Sequence, residues 1–294
     1  MENKLSVVLV GIGGYGNQYV EALLDNPKNY NFEIVGAVDP APEGCRKLDE
    51  IKEKNISLYS NLESFYSENQ ADLAVISSPI HYHEPQTLLA LENESHVLCE
   101  KPLTPTVEKA NNIIEKSKEK NKKVTIGYQW SYSKAIQKLK KDIINGNLGK
   151  PKRLKTLVLW PRDFAYYNRN NWAGKIKDDK GNWILDSVAH NATAHYLHNM
   201  FYVLGNKINT SVSPYSINVE IYRANDIENY DTCALRVKTE KDVELLYLAS
   251  HAVNKQVNPK FVYEFEKAQV KYSQDGKNKN ITAYFENGDK KVYG

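Results

Sequence analysis

Short apolar runs recur along the first part of the chain: LSVVLV (5–10), EIVGAV (33–38), DLAVIS (72–77), HVLC (96–99) and KVTIGY (123–128). Stretches with helical spacing separate them near 15–25, 41–54, 84–93 and 105–121. The runs are continuously apolar, as strands covered on both faces require, and strand–helix alternation predicts a parallel, doubly wound sheet over a first domain, 1–127. Beyond a helix predicted near 132–145 the pattern changes. PKRLKTLVLW (151–160) predicts a long strand and DSVAHNATAHYLHNMFYVLG (186–205) a helix ended by Gly205. SINVEIYRA (216–224), TCALRVKT (232–239) and VELLYLAS (243–250) have the period-two pattern of antiparallel strands with one solvated face. The fold class is therefore α/β: a doubly wound parallel sheet followed by an α+β domain, 128–294, with a mainly antiparallel sheet. No internal repeat or low-complexity linker interrupts it. YFENGDKKVYG (284–294) reads as a hairpin turning at Asn287–Gly288, an ending expected of an incomplete or unusually short chain.

Bulk composition narrows the function. With 39 basic against 36 acidic residues, a net charge of +3 supplies no field for nucleic acid or anionic lipid. The lysine-rich KSKEKNKK (116–123) reads as a solvated helix end. Cys45, Cys99 and Cys233 are scattered without CxxC spacing, which argues against a disulfide framework or zinc site and for a reducing compartment. No apolar run reaches the roughly 18 residues of a membrane span. A cytoplasmic protein without membrane or nucleic-acid partners is the expectation, and no cluster has metal-ligand spacing.

Gly11, Gly13 and Gly16 stand in G-x-G-x-x-G spacing directly after the first run and before a helical stretch. Glycines there permit a tight turn and close approach to a pyrophosphate, and the helix start offers N–H groups to the anion. Asp39 closes the second run, where its carboxylate accepts both ribose hydroxyls of an adenosine. Pro40 and Ala41 follow it, with no arginine for a 2′-phosphate, so NAD is expected over NADP.

HVLCEKPLTP (96–105) places Glu100 and Lys101 at the carboxyl end of a predicted strand, where doubly wound sheets bind ligands. A strand running into a solvated loop is the plainer alternative. With the glycine loop, the turn SSPIHYH (77–83), Glu100-Lys101-Pro102 and GYQW (127–130), the chain resembles the Gfo/Idh/MocA family, oxidoreductases named after glucose-fructose oxidoreductase and inositol dehydrogenase. The resemblance implies a Rossmann domain, and cofactor contacts from Gly11, Gly13, Gly14, Tyr15, Gly16, Asp39, Ser78, Pro79, His83, Glu100, Lys101 and Gln129. It also implies that Lys101 touches the reacting hydroxyl and that the Lys101–Pro102 peptide is cis. A lysine partly desolvated beside a cationic ring has a lowered pKa, which suits proton transfer. His81 and His83 equally cap or position their loop.

Asp186 and His190, at i and i+4, would share one face of the predicted helix. By resemblance they complete a proton relay with Lys101: His190 as general acid or base, Asp186 orienting it or binding a hydroxyl. Many relatives carry an aspartate three residues after this histidine, where Thr193 stands. His195 and His198 compete with His190 for the role. WPRDFAYYNRNNWAGKIKDDKGNW (160–183) gathers Trp160, Tyr166, Tyr167, Trp172 and Trp183 with Arg162 and Arg169. Aromatic faces beside planar polar groups suit a polyhydroxylated ring, or equally a packed tyrosine-rich edge, and the arginines suit a carboxylate or phosphate. Substrate contacts are expected from Lys101, Tyr128, Trp160, Arg162, Trp172, Asp186 and His190.

The resemblance implies an NAD-dependent dehydrogenase acting on a sugar, cyclitol or related polyol. An NAD-using glycoside hydrolase of the same fold and a non-catalytic NAD or sugar sensor are the alternatives. A homo-oligomer, dimer or tetramer, is expected from apolar residues on both faces of the second-domain strands, which relatives commonly pair between subunits.

Overall fold

The computed structural model describes residues 4–25, 31–275 and 279–294. Two units, residues 1–127 and 128–294, hold most of their contacts internally.

In the first unit the chain runs β1 (Leu5–Val10), α1 (Gly16–Asp25), β2 (Phe32–Val38), α2 (Leu48–Glu53), β3 (Leu58–Tyr59), α3 (Leu62–Glu68), β4 (Leu73–Ile76), α4 (His83–Glu92), β5 (His96–Cys99), α5 (Val107–Glu119) and β6 (Val124–Ile126). The strands pair in the order β3-β2-β1-β4-β5-β6, all parallel. Residues alternate between two apolar layers. Val8, Val10 and Ile76 pack with Phe65 and Leu91 on one face, while Val7, Leu9 and Val75 pack with Val20 and Ile51 on the other. Burial on both faces accounts for the continuous apolar runs. The short β3 and α3 escaped the pattern, and the helical stretch near 41–54 divides into a 3₁₀ turn, Pro42–Gly44, and α2. Asn61 caps α3 by accepting from Ser64 N at 2.8 Å.

The second unit runs α6 (Gln129–Tyr132), α7 (Lys134–Ile144), β7 (Pro151–Leu159), α8 (Phe164–Tyr167), a π turn (Val188–Ala192), α9 (Ala194–Val203), β8 (Pro214–Tyr222), β9 (Thr232–Thr239), β10 (Glu244–Ser250), β11 (Val257–Phe265), β12 (Ala268–Ser273), β13 (Ile281–Phe285) and β14 (Lys290–Tyr293). Eight strands order as β14-β13-β12-β11-β7-β10-β9-β8. The sheet is antiparallel except where β7 and β10 lie side by side in parallel. One face carries the core, with Val158, Tyr247 and Tyr263 against Met200 and Val203 of α9. The edge strand β8 is exposed along its whole length.

The expected continuous helix over 186–205 is corrected. Leu185 has φ of 53°, a left-handed value that stops any helix extending back through Asp186. Ser187 then caps the π turn, its hydroxyl accepting from His190 N at 3.2 Å. A second break falls at Thr193, whose φ of −112° separates the turn from α9.

Among the described residues no helix is long and apolar enough to cross a membrane, and no group of three or more His, Cys, Asp or Glu could hold a metal ion.

Candidate functional site

In the first unit the sheet changes direction between β1 and β4, and the loops that follow these strands lie against each other. A Cβ on Gly11 would meet Ser78 N at 2.7 Å, and φ of +78° there already favours glycine. A Cβ on Gly16 would meet Gly11 O at 1.9 Å. The fold itself therefore requires these two glycines. Gly13 differs: its nearest neighbours are Gly44 at 3.7 Å and Asp39 Oδ2 at 3.8 Å, so packing leaves a Cβ room. That open backbone beside the start of α1 fits a pyrophosphate. Asp39 lies at the end of β2, its Oδ2 accepting from Ile12 N at 2.9 Å and Gly13 N at 3.2 Å, and its Oδ1 from Ala41 N at 2.9 Å. The carboxylate is thus fixed against the loop and only part-buried, which suits ribose hydroxyls and opposes a 2′-phosphate.

Asn17 went unnoticed in the sequence. Its Nδ2 donates to Gly14 O and Gly44 O, and its Oδ1 accepts from Arg46 N at 2.7 Å, tying the glycine loop to the following 3₁₀ turn. Tyr15 is 49% exposed beside Gly14. Ser78 donates to Gln86 Oε1, and Pro79 starts the turn into α4.

Two residues expected to contact the cofactor are buried. Glu100 points inward: it is 6% exposed, accepts from Tyr19 Oη at 2.6 Å and from Lys101 N at 3.0 Å, and burial pushes its pKa up. Gly127 makes room for it, since a Cβ there would meet Glu100 Oε1 at 2.6 Å. His83 is also buried, with its ring nitrogens 2.8 Å from Pro102 O and Ser78 O. It holds the loops after β4 and β5 together, and a neutral ring can donate to only one of those carbonyls. Lys101 is part-buried and its peptide bond to Pro102 is cis.

In the second unit Asp186 is 4% exposed, its oxygens accepting from Gly174 N and Asn191 Nδ2, both at 2.7 Å. Because it precedes the π turn, Asp186 and His190 do not share a helix face. His190 is part-buried in that turn. Thr193, where relatives carry an acid, is fully buried and bonds to Val188 O and the Tyr247 hydroxyl, so it serves the fold. The Tyr128 ring stacks on His198 at 4.0 Å and meets His195 edge-on at 6.0 Å. Burial, with Lys140 nearby, pushes His198 down to about 4, which leaves it neutral and removes it as a proton carrier at neutral pH. Gln129 is exposed at the start of α6.

The aromatic segment divides. Trp160 donates to Asn258 Oδ1 at 3.0 Å and packs on the core. Around Tyr166 the chain builds a ladder instead: Arg162 lies 4.5 Å from its ring, Arg169 3.7 Å, and Trp172 sits 5.4 Å beyond Arg169. Beside it a small cavity is lined by Tyr166, Tyr167, Asp186 and His251. Tyr166, Tyr167 and Arg169 belong to the stretch that stood out in the sequence, whereas His251, on the loop after β10, does not. A larger hollow of about 440 Å³ lies on the open face of the second sheet, lined by Lys155, Lys260 and Lys271 with Leu246 and Leu248. None of the expected site residues lines it.

Comparison with known proteins places the first unit. Residues 5–128 match the family described as oxidoreductases with an NAD-binding Rossmann fold, GFO_IDH_MocA. Curated relatives include an inositol 2-dehydrogenase of Rubrobacter xylanophilus, 28% identical over 152 residues, and a D-glucoside 3-dehydrogenase of Escherichia coli, 27% identical over 147. Each match covers 50% of this chain, and 42% and 41% of those enzymes, so it spans less than half of their length. Among solved structures, levoglucosan dehydrogenase in complex with NADH superposes with a TM-score of 0.81 at 15% identity, over 99% of this chain and 80% of that one. The WlbA dehydrogenase of Bordetella pertussis, bound to NADH and UDP-GlcNAcA, gives 0.80 at 21% identity, over 92% and 74%. These likenesses show a shared fold.

Proposed function

We propose that the whole chain is an NAD-dependent dehydrogenase, because residues 5–128 match the Gfo/Idh/MocA oxidoreductase family, with its NAD-binding Rossmann fold. The reaction proposed is hydride removal from a hydroxyl carbon of a sugar, cyclitol or related polyol. The observation that carries it is the pairing of Gly13, whose openness packing does not require, with Asp39 fixed beside it. NAD bound at this loop supplies the hydride acceptor.

The roles proposed for the chain's own residues follow their chemistry. The Lys101 ammonium holds the reacting oxygen and stabilises the negative charge that develops as its proton leaves. His190 carries the proton. Asp186, with both oxygens engaged by Gly174 N and Asn191 Nδ2, fixes the chain entering the π turn that carries His190. The first unit acts as the dinucleotide domain; the second supplies substrate contacts and the interface between copies. Supporting that interface, Ile217, Val219 and Ile221 of the edge strand are each more than half exposed. Light scattering giving a monomer at micromolar concentration would contradict it. Three free, buried cysteines support a reducing, cytoplasmic setting.

Following NADH formation with a panel of sugars and polyols tests the reading. Stoichiometric NADH is expected with a substrate. Glycoside cleavage without net NADH would transfer the proposal to the hydrolase alternative, and binding without turnover to the sensor.

A further inference from the structure

We propose that Arg162 and Arg169 form an oxyanion-binding site, so that the preferred substrate is a sugar bearing a carboxylate or phosphate. The inference rests on the dehydrogenase reading for the word substrate; the anion site stands on its own observations. Both guanidinium groups lie within 5 Å of the Tyr166 ring. Among the described residues neither makes an ion pair, although this chain pairs Arg46 with Glu21 and Arg153 with Glu244 where an acid is at hand.

Nearby acids are already engaged. Asp186 accepts from Gly174 N and Asn191 Nδ2. Asp231 accepts through Oδ2 from Ala224 N, Asn225 N and Asn225 Nδ2, and through Oδ1 from the Thr232 hydroxyl. Asp163 caps α8 by accepting from Tyr166 N at 3.0 Å. His251 gives its Nδ1 proton to Trp160 O at 2.7 Å.

What is left over is donors. Arg162 Nε and Tyr167 Oη are buried without a hydrogen-bond partner. Stacking on Tyr166 orients both guanidinium groups; Arg169 is exposed and gives one N–H to Tyr166 O, which leaves its other donors open to an incoming group. Buried donors left unmade are costly, and two cations around one ring repel, so the cluster is complete only when an acceptor carrying negative charge enters. A guanidinium fork matches the paired oxygens of a carboxylate or phosphate, whereas a neutral ring offers hydroxyls that need acceptors as much as donors.

The test compares kcat/KM for glucose, glucuronate and glucose 6-phosphate with NAD, in the wild type and in Arg162→Met and Arg169→Met. The expected result is that at least one anionic sugar exceeds glucose by on the order of a hundredfold, and that the ratio collapses in both variants mainly through KM. The carboxylate and phosphate arms tell which oxyanion fits. Glucose turned over as well as both anionic sugars, or a ratio unchanged in the variants, overturns the site and leaves the dehydrogenase reading intact. If none of the three is oxidised, the wider sugar and polyol panel judges the dehydrogenase reading, and calorimetric titration of glucuronate and inorganic phosphate into the NAD complex decides the site. Binding weakened by Arg169→Met upholds it; no heat at millimolar concentration overturns it. Arg169→Lys keeps the charge, and a well-folded variant with reduced preference separates loss of the fork from loss of the fold.

Discussion

Tyr19 of α1 donates its hydroxyl to the Glu100 carboxylate at the end of β5, 2.6 Å away and 81 residues along the chain. The bond ties the helix that follows the glycine loop to the strand that precedes Lys101. Glu100 is buried and its pKa is raised, by desolvation first, while the Tyr19 bond and Lys101 lower it. Replacing Tyr19 with Phe leaves a buried carboxylate short of a donor, and the expected loss is about 1–3 kcal/mol in urea unfolding at neutral pH. A group whose folded pKa lies above its unfolded value favours folding in acid. Wild-type stability should therefore fall as pH rises from the unfolded carboxylate's value, about 4.3, through the raised folded one. Glu100→Gln should flatten this dependence. Equal stability of Tyr19→Phe and wild type at pH 7 would show that the bond contributes nothing.

Lys140 is fully buried, donates to Thr210 O at 2.5 Å and faces the Tyr202 ring at 3.7 Å, with burial and Lys241 pushing its pKa down to about 8. The unfolded lysine titrates near 10.4, so the unfolded state binds more protons between these values. Stability should rise with pH across that window and carry its full penalty below it. Lys140→Met is expected to be more stable than wild type at pH 7, by about 2 kcal/mol, with the gap narrowing by pH 10. Denaturant melts at the two pH values check the sign. A variant destabilised equally at both would mean that the carbonyl bond outweighs desolvation.

Gly13 and Gly11 should separate folding from cofactor binding. Gly13→Ala meets no close atom, so its melting temperature should stay near wild type while the Kd for NADH rises by about tenfold or more. Gly11→Ala meets Ser78 N at 2.7 Å in a left-handed backbone and should destabilise the first unit itself. Unchanged NADH affinity in Gly13→Ala would remove the loop from the binding site.

Cofactor choice is expected to rest on Asp39, whose carboxylate repels a 2′-phosphate with no compensating cation at Pro40 or Ala41. Fluorescence titration should give tighter binding of NADH than NADPH, with Asp39→Ser narrowing the difference. Tighter NADPH binding by the wild type would overturn the preference.

Much of the architecture was legible because two local periodicities encode it. TCALRVKT forms a strand over the very residues its alternation marks, and the doubly covered strands of the first unit read as unbroken apolar runs. The parallel contact of β7 with β10 was not legible, since pairing partners 91 residues apart leave no local trace. Nor was the interruption after Asp186: helical spacing continues through the segment, while Leu185 and the Ser187 cap decide otherwise. At the site, the glycine loop and Asp39 were readable as motifs. The inward turn of Glu100 was not, because Tyr19 and Gly127 create its pocket from distant parts of the first unit.

Turnover by a Lys101→Ala enzyme tests the central claim most directly. With a substrate in hand, the account predicts a kcat lowered by on the order of a hundredfold or more and an NADH affinity that is nearly unchanged, because the lost interaction belongs to the transition state. Lys101→Arg, which keeps the charge on a wider planar head, should recover part of the rate, whereas a Lys101 that itself gave up a proton would leave the arginine variant almost inactive. A Lys101→Ala enzyme with near-normal kcat would contradict the account and reduce Lys101 to a residue of the loop after β5.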